Sequence, residues 1–468
     1  MAAQAQVDVG GIARPQGRPD YSTALQPYRG TLGVRAAAHL LRRAGFGGTP
    51  DEVRRFAEMR AEEAASALVA VPSAKSIPAP PEGEIAGPTG MREARHNLAA
   101  LQLWWLNRML TTPAPLQEKM TLYFHGHFTS RATPRFPRIT YNQNALFRSN
   151  ATGNLRELTR DVSKDAAMLI YLDGANNVAA HPNENYAREL MELFTLGVDN
   201  YSENDVRESA RAWTGWKVNR KTDAVAFDPT RHDGGRKTLL GRTGYFDGDD
   251  VVNIIFDQPQ CARFFAAGLL NWLVYNDPES ELVDGVAELI RVHNYELAPV
   301  LSTILASNVF FSVRAYRALV KSPVEFVVGT HKALGLPAID ESALPALQQM
   351  GQRLFFPPSV AGWPGGANWL TSATMIARQN FLTRLLGSQT LEASSWLRGL
   401  PIAPKNVAAS IAQTLLQDDV APASLVELNG YLMGTGSAAL ASLSVENYDQ
   451  RVRGAAYLAL ATPAYQLN

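Results

Sequence analysis

The stretch HPNENYARELMELFTLG, from His181 to Gly197, carries side chains that could bind a metal ion or transfer protons. With about 100° between successive residues of a helix, its polar side chains share one arc and its apolar side chains share the other. Glu189 and Glu192 stand three residues apart on the polar arc, which is how helical proteins place two carboxylates at one site. We therefore expect this pair to supply catalytic carboxylates and metal ligands, with His181 as a further ligand.

The same pattern is typical of an ordinary amphipathic helix. Glu184, Arg188 and Glu192 follow at four-residue intervals, and such a ladder stabilises a solvated helix face by roughly 0.2–0.5 kcal/mol per pair. Two asparagines on the polar arc, which are poor helix formers, favour a functional face instead. If the arc lines a cleft, Arg188 is a candidate for substrate binding. If the arc is exposed to solvent, or packs on the next helix, then Arg188 belongs to a structural ion pair. That next helix is predicted in SENDVRESARAWTGW.

A second candidate site is FHGHF, residues 124–128. On a helix, side chains two residues apart point about 200° apart and cannot reach one ion, although they share a face on an extended segment. Since PLQEKMTLYF is predicted to be helical and Gly126 can end it, the two histidines should straddle a helix C-terminus. We expect His127 to be a catalytic residue and a metal ligand, and His125 to be a metal ligand. A packing or capping role explains either ring about equally well.

The third candidate is a turn, since RHDGGRKTLLG places His232 and Asp233 before two glycines. Turns held by a rigid scaffold often carry functional side chains, so both residues are predicted to be catalytic. An Asx-type turn within a hairpin explains the same pattern. The paired glycines do not match the G-x-x-x-x-G-K-[ST] pattern of a phosphate-binding loop.

Two loops carry candidates for substrate binding. The loop FFPPSVAGWPGGANWL contains Trp363 and Trp369, whose flat rings could stack on a sugar or an aromatic ligand, whereas a packed plug between helices is the more common use of such a loop. The loop RATPRFPR contains Arg135, which is predicted either to bind an anionic substrate or to be simply solvated.

The composition excludes several classes of protein. Of 468 residues, 46% are hydrophobic and 19% are charged, as in ordinary globular proteins. Lys plus Arg and Asp plus Glu both number 44, so no overall field indicates nucleic-acid binding. The single cysteine, Cys261, cannot form an intramolecular disulfide. Since H-E-x-x-H, G-x-S-x-G, a strand-linked G-x-G-x-x-G and C-x-x-C are missing, zinc proteases, α/β-hydrolases, Rossmann enzymes and zinc fingers are disfavoured.

The N-terminal residues leave the localisation open. They contain no apolar h-region, so we expect no secretory signal in the chain as written, but a protein whose signal has been removed would look the same. The alternatives are therefore a bacterial periplasmic or extracytoplasmic protein and a cytoplasmic one. The longest apolar runs, such as FFAAGLLNWLVY, are too short and too amphipathic to span a bilayer.

Apolar residues recur at three- and four-residue spacing along most of the chain, which predicts a mainly α-helical, multi-helix globular bundle. Thr49, Asn154, Ser202 and Ser322 are predicted to cap or begin helices. The main helices are expected at 154–171, 182–196, 202–214, 258–275, 278–293, 296–308, 321–334 and 371–386.

One segment and two boundaries depart from this pattern. Residues 217–250 are rich in Gly, Asp and Thr and predict a small insertion that consists of a long loop and a β-hairpin. The predicted organisation is an N-terminal tail or arm at 1–30, a main helical domain with the polar motifs at 31–395, and a C-terminal helical segment at 396–468 packed on it.

Six segments together resemble one bacterial family. They are, in order, HLLRRAGFGGTPDEV, KMTLYFHGHFTS, HPNENYARELMELFTLG, DVRESARAWTGW, HDGGRKTLLG and FFPPSVAGWPGGANWL. In this combination they resemble the domain of unknown function 1800 family, over about residues 34–468. The resemblance implies a largely helical and often exported bacterial protein, commonly encoded beside a second family that looks like alkaline-phosphatase or sulfatase relatives. It implies no established activity and assigns no catalytic residues.

The polar motifs lead to the hypothesis of an enzyme that acts on a polar substrate through a His/carboxylate cleft, with hydrolysis slightly favoured over oxidation. Mixed His and carboxylate ligands suit Zn, Mn or Fe, and Ca if carboxylates dominate. A metal-bound water would then be the nucleophile, or an open position on the metal would bind oxygen. Without a metal, a carboxylate would be the general base and a histidine the acid. The alternatives are a non-catalytic partner or scaffold of the co-encoded phosphatase/sulfatase-like protein, and a carbohydrate-binding helical protein.

Elemental analysis of the purified protein tests the metal-dependent form of this hypothesis. We expect Zn, Mn, Fe or Ca at about one ion per chain, and a lower melting temperature in chelator, because a metal bound only by the folded state stabilises it. Metal-free protein that keeps its full stability in chelator would eliminate this form.

Overall fold

The structure is a computed structural model that describes residues 21–70, 78–220, 222–388, 404–417, 422–433 and 445–468. Within these ranges helices dominate, and the paired strands form only two short antiparallel ribbons. The predicted mainly α-helical class with a small β insertion is therefore confirmed. No helix in the described ranges is long and apolar enough to cross a membrane.

Helices follow one another along most of the described chain. The α-helices are α1 Tyr21–Ala24, α2 Gly33–Arg43, α3 Pro50–Ala57, α4 Ala61–Val69, α5 Glu82–Ile85, α6 Met91–Thr111, α7 Pro115–His127, α8 Pro137–Ser149, α9 Leu155–Ser163, α10 Ala166–Tyr171, α11 Asn185–Glu189, α12 Glu203–Ala212, α13 Gly248–Phe256, α14 Pro259–Leu273, α15 Ser280–Val292, α16 Leu297–Ala306, α17 Pro323–Ala333, α18 Ala343–Gln349, α19 Ser372–Leu386, α20 Pro404–Ile411, α21 Pro422–Met433 and α22 Val445–Ala461. Segments of π-helix lie at Leu190–Thr195 and Ala412–Leu416.

The β insertion predicted at 217–250 contains two hairpins. The strand β1 (Trp216–Asn219) pairs antiparallel with β2 (Ala224–Phe227). The strand β3 (Lys237–Leu239) pairs in the same way with β4 (Arg242–Gly244). The turn RHDGG therefore connects two hairpins and does not lie at the tip of one.

Polar side chains begin the helices where the sequence predicts them. Thr49, Ser202 and Ser322 each accept a hydrogen bond from the backbone N–H three residues on, and the carboxylate of that later residue accepts one in return. Asn154 caps α9 by accepting hydrogen bonds from two backbone N–H groups of its first turn. These predictions are confirmed.

Two predicted helices differ from the observed ones. The helix predicted over 154–171 is divided into α9 and α10, because the Asp165 side chain accepts the backbone N–H three residues on and starts a new helix. The helix predicted over 182–196 begins only at Asn185, because the Asn183 side chain accepts the Asn185 backbone N–H at 2.9 Å and turns the chain first.

The helix α7 lies between two groups of buried apolar side chains. Leu116, Met120 and Phe124 belong to the first group, together with residues of α2, α4, α14 and α16. Leu122, on another side of the same helix, belongs to the second group, together with residues of α6, α17 and α19. Trp272 on α14 packs against both. The position of α7 is therefore set from both sides.

The division into tail, main domain and C-terminal segment stays a prediction. Residues 1–20 of the tail lie outside the described residues, as do parts of the C-terminal segment. In its described parts, Val407 and Leu460 are buried in the same group as Trp105 and Phe326 of the predicted main domain.

Adjacent buried charges on α7 have separate partners. Glu118 is fully buried and binds Arg148, at 2.6 Å to its Nε, and also Arg108. The neighbouring Lys119 is buried as well and pairs with Glu325 on α17. Because a buried charge is tolerated only with a partner, these pairs position α7 against α6, α8 and α17.

We expect Glu118→Gln to lower the free energy of unfolding by about 3 kcal/mol or more, because two arginines would lose their buried counter-charge. The matched control is Glu157→Gln, whose partner Arg160 lies three residues on along an exposed helix face; its effect should be below about 0.5 kcal/mol. Denaturant unfolding of both variants measures the difference. Equal effects would show that the buried pair contributes no more than a surface pair.

Candidate functional site

The helix with the predicted carboxylate pair changes from α to π after Glu189. The Leu196 N–H donates to the Met191 carbonyl at 2.9 Å, five residues back, and the Thr195 hydroxyl donates to the Leu190 carbonyl. Such π segments occur frequently at functional sites. A regular α-helix would bury both Leu190 and Leu193 in the core. Leu190 is fully buried, whereas Leu193 is only partly buried, because the π-helical segment has more residues per turn and shifts its direction.

Glu189 and Glu192 are both half-buried but have different surroundings. Among the described residues the Glu189 carboxylate makes no hydrogen bond or ion pair. Burial and, next, the Glu192 charge raise the pKa of Glu189 above its usual value, although Arg188 opposes this. Glu192 instead accepts a hydrogen bond from the Tyr201 hydroxyl at 2.6 Å. One carboxylate is therefore held in place, and the other is available to exchange a proton.

The charge of Glu189 also acts on a side chain from another segment, Tyr171. The hydroxyl of Tyr171, at the end of α10, is half-buried, and this burial raises its pKa. The positive charge of Arg131 lowers the same pKa and the negative charge of Glu189 raises it, so both charges act on Tyr171. No local pattern in the sequence marks Tyr171 as functional, because it ends an ordinary apolar run, AAMLIY.

The two histidines of FHGHF contact opposite neighbours at the end of α7. The Nε2 atom of His127 makes a hydrogen bond to the Phe194 carbonyl at 2.9 Å, so it carries the ring proton and caps the π-helical segment. The Nε2 atom of His125 accepts the Phe355 N–H at 3.1 Å. Burial lowers the pKa of His125 to about 3 and that of His127 to about 4, so both rings are neutral at pH 7.

These contacts are the capping and packing roles that the sequence left open. With Nε2 as acceptor, His125 must hold its proton on Nδ1, which leaves neither nitrogen for a metal ion in this arrangement. His127 keeps an unprotonated Nδ1, and its catalytic and ligand roles stay predictions. The remaining proposed ligand, His181, is exposed and lies in a turn closed by its N–H to the Val178 carbonyl at 3.0 Å.

The residues of the RHDGG turn form a second cluster with α12. Asp233 accepts hydrogen bonds from Arg211, at 2.7 Å from its Nε, and from the Gly235 N–H at 2.8 Å. The Arg211 guanidinium holds the pKa of Asp233 below its usual value. His232 Nδ1 lies 2.9 Å from the Thr214 carbonyl oxygen. The geometry is therefore that of an Asx-type turn tied to a helix, and the catalytic roles of His232 and Asp233 stay predictions.

The predicted substrate-binding arginines have different surroundings. Arg188 donates to both carboxylate oxygens of Glu203, at 2.8 and 2.7 Å, and to Glu184 at 3.2 Å. It thereby joins α11 to α12 as a structural ion pair. Arg135 is exposed and lines a cavity of about 440 Å³ together with Arg138, and substrate binding by Arg135 stays a prediction.

The tryptophan loop packs against the end of α7. Trp369 is buried, with 6% of its surface exposed, and the half-buried Trp363 ring lies 5.4 Å from the His125 ring. Gly362 has φ +76°, and a Cβ atom there would lie 2.4 Å from the Gly126 carbonyl oxygen. Only glycine combines this backbone conformation with so close an approach. The loop is therefore largely the packed plug that the sequence left as an alternative.

The structure thus joins some motifs and separates others. FHGHF contacts the tryptophan loop and the π-helical segment that contains Glu192, whereas His232 and Asp233 belong to the Arg211 cluster. Within the described ranges, no three His, Cys, Asp or Glu side chains are grouped so that they could hold a metal ion.

Comparison with known proteins identifies a family only. The family model described as "Protein of unknown function (DUF1800)" matches residues 39–467. Neither a curated protein nor a solved structure matches the chain.

We expect Gly362→Ala to destabilise the fold by about 2–4 kcal/mol, because it adds both backbone strain and a clash with the end of α7. The control is Gly126→Ala on the other side of the same contact, where an added Cβ meets nothing within 4 Å. Because Gly126 lies in a helix, Gly126→Ala should raise the free energy of unfolding by about 0.5–1 kcal/mol. Thermal unfolding measures both; a neutral Gly362→Ala would show that the loop does not depend on this contact.

Proposed function

The chain belongs to the DUF1800 family of unknown function, and we propose that it is an enzyme acting on a polar substrate through Glu189 and Glu192. The observation that supports this most is the difference between the two carboxylates. Glu189 is half-buried, has no partner among the described residues and has a raised pKa, while Tyr201 holds Glu192 beside it. Neighbouring titratable groups in different environments are typical of acid–base sites.

The chemistry that suits this pair best is general acid–base hydrolysis. The raised pKa of Glu189 makes its carboxylate a stronger base than that of an exposed glutamate. In the proposed reaction it takes a proton from water as the oxygen attacks the substrate, and it returns that proton to the leaving group. Tyr171 and Arg131 are the side chains proposed to orient the substrate, since the charges of Arg131 and Glu189 both act on the pKa of Tyr171. Hydrolysis is favoured over oxidation because the step needs no electron acceptor.

A divalent ion, Zn, Mn, Fe or Ca, remains part of the proposal in its metal-dependent form. Glu189 and Glu192 would be its ligands, and since no third His, Cys, Asp or Glu side chain among the described residues is grouped with them, the observed arrangement does not by itself form a complete metal site. Such an ion would supply a Lewis acid and an activated water. The elemental analysis described above separates the two forms.

The other hypotheses from the sequence have less support. Carbohydrate stacking was expected to use two tryptophans, and Trp369 is buried. Carbohydrate binding would then depend on Trp363 alone. The absence of binding on a glycan array would eliminate this hypothesis. Export, a bacterial origin and a co-encoded phosphatase/sulfatase-like partner are proposals that come from the family resemblance alone. Co-purification of that partner with the full chain would support the scaffold hypothesis.

We expect Glu189→Gln to lower kcat/KM by about 100-fold or more, because removal of a general base typically has an effect of that size. The substrate would come from a panel of carboxylic, phosphate and sulfate esters and glycosides. The matched control is Glu184→Gln, which removes a carboxylate from the preceding turn, where it binds Arg188. It should keep activity within about threefold, on the order of a lost surface ion pair.

The same substitution should slightly raise the stability at pH 7. A carboxyl whose folded-state pKa is raised contributes stability below its ordinary pKa of 4.5, and this contribution is lost as the pH rises through the folded-state pKa. Glu189→Gln should therefore melt higher than the natural chain at pH 7, by about 1 °C, and equally at pH 4. A Gln variant that keeps full activity, or that melts far lower at pH 7, would refute the catalytic role.

A further inference from the structure

Two arginines from distant loops lie over one aromatic ring. The Arg353 guanidinium carbon lies 3.9 Å from the centre of the Phe356 ring, and that of Arg131 lies 5.6 Å from the same centre. Both arginines are exposed and the ring is half-buried. Cation–π attraction offsets part of the repulsion between the two charges but does not neutralise them.

The two guanidiniums have no anionic partner within the described part of the chain. Neither makes a hydrogen bond or an ion pair there, whereas Arg188 and Arg211 each bind two carboxylates. Partial burial and the Arg131 charge lower the pKa of Arg353, which shows that the two charges act on each other. All five N–H donors of each guanidinium therefore remain available to an acceptor.

The backbone that follows Arg353 is held in a strained conformation. Phe355 has φ +63°, which is rare for a bulky residue and costs on the order of 1–3 kcal/mol. Two hydrogen bonds hold it there. The Phe355 N–H donates to His125 Nε2 at 3.1 Å, and the Phe355 carbonyl accepts the Ala132 N–H at 2.8 Å. The second of these bonds joins the loop of Arg353 to the residue after Arg131. The fold thus keeps two repelling cations side by side.

The arginine pair and the proposed general base belong to segments that meet at the end of α7. The Phe355 N–H, two residues after Arg353, donates to His125, and the Phe194 carbonyl, two residues after Glu192, accepts from His127. Planar guanidiniums bind carboxylate, sulfate and phosphate groups through paired N–H donors. We propose that Arg131 and Arg353 together bind an oxyanion group of the substrate on which Glu189 acts. The assignment to a substrate rests on the proposed function, whereas oxyanion binding itself can be measured without turnover.

The experiment uses the full chain and inorganic phosphate, sulfate and acetate as probes, at constant ionic strength set with sodium chloride. Isothermal titration and melting temperature report binding, because a ligand of the folded state stabilises it by mass action. We expect phosphate or sulfate to bind saturably, and R131Q/R353Q to bind at least about tenfold more weakly. Acetate binding of similar strength would indicate a carboxylate substrate, and its absence a phosphate or sulfate.

The matched control is R55Q. Arg55 is also an exposed arginine over a phenylalanine, with its guanidinium carbon 5.1 Å from the Phe56 ring centre, but no second arginine shares that ring. It should leave the affinity unchanged within about twofold, since a lone exposed charge contributes little. An equal loss in R55Q, or oxyanions that bind no better than chloride, would overturn the proposal.

Two variants separate this inference from the proposed function. E189Q should be inactive yet still bind phosphate or sulfate, because it removes only the general base. If E189Q is inactive and the oxyanions do not bind the natural chain, the arginine site is wrong and the catalytic carboxylate stands. If the oxyanions bind and E189Q keeps its activity, the arginine pair is an anion site without the proposed reaction beside it, and its assignment to that substrate is wrong.

Discussion

The packing of this chain depends on two adjacent charges that are buried on one helix. Glu118 binds Arg108 and Arg148, and Lys119 binds Glu325, so neither charge of α7 is left alone in the interior. Because an unpaired buried charge would be strongly destabilising, these pairs determine how α7 meets α6, α8 and α17. The end of α7 is thereby brought to a defined place, and the tryptophan loop contacts it there.

The candidate site is shaped by that helix end, although its proposed reactive group comes from elsewhere. His125 holds the strained Phe355 backbone, and His127 caps the π-helical segment through the Phe194 carbonyl. The histidines therefore act on the backbone of the two segments that carry Arg353 and Glu192. Burial keeps both rings neutral, which suits hydrogen bonding to backbone more than transfer of protons at pH 7.

Prediction from the sequence succeeded for helix caps, which depend on residues within one turn. It was less successful for helix boundaries and for the π-helical segment, which depend on other contacts. The helix caps at Thr49 and Ser202 follow from spacing within one turn. The helix start expected at residue 182 was wrong, because Asn183 closes a turn that competes with the helix. The change to π-helix after Glu189 has no signature in hydrophobic periodicity, since a single extra residue alters only the last turn.

The helical class, the position of the β insertion and the presence of two carboxylates on one polar arc follow from the order of the residues alone. These features depend on interactions between residues that are close along the chain. The partners of His127, Asp233 and His125 depend instead on the folded arrangement, because these contacts join residues 67, 22 and 230 positions apart. It also brought Arg131 and Arg353 to one aromatic ring. Spacing cannot predict such contacts, because they follow from how buried charges and two cores arrange whole helices.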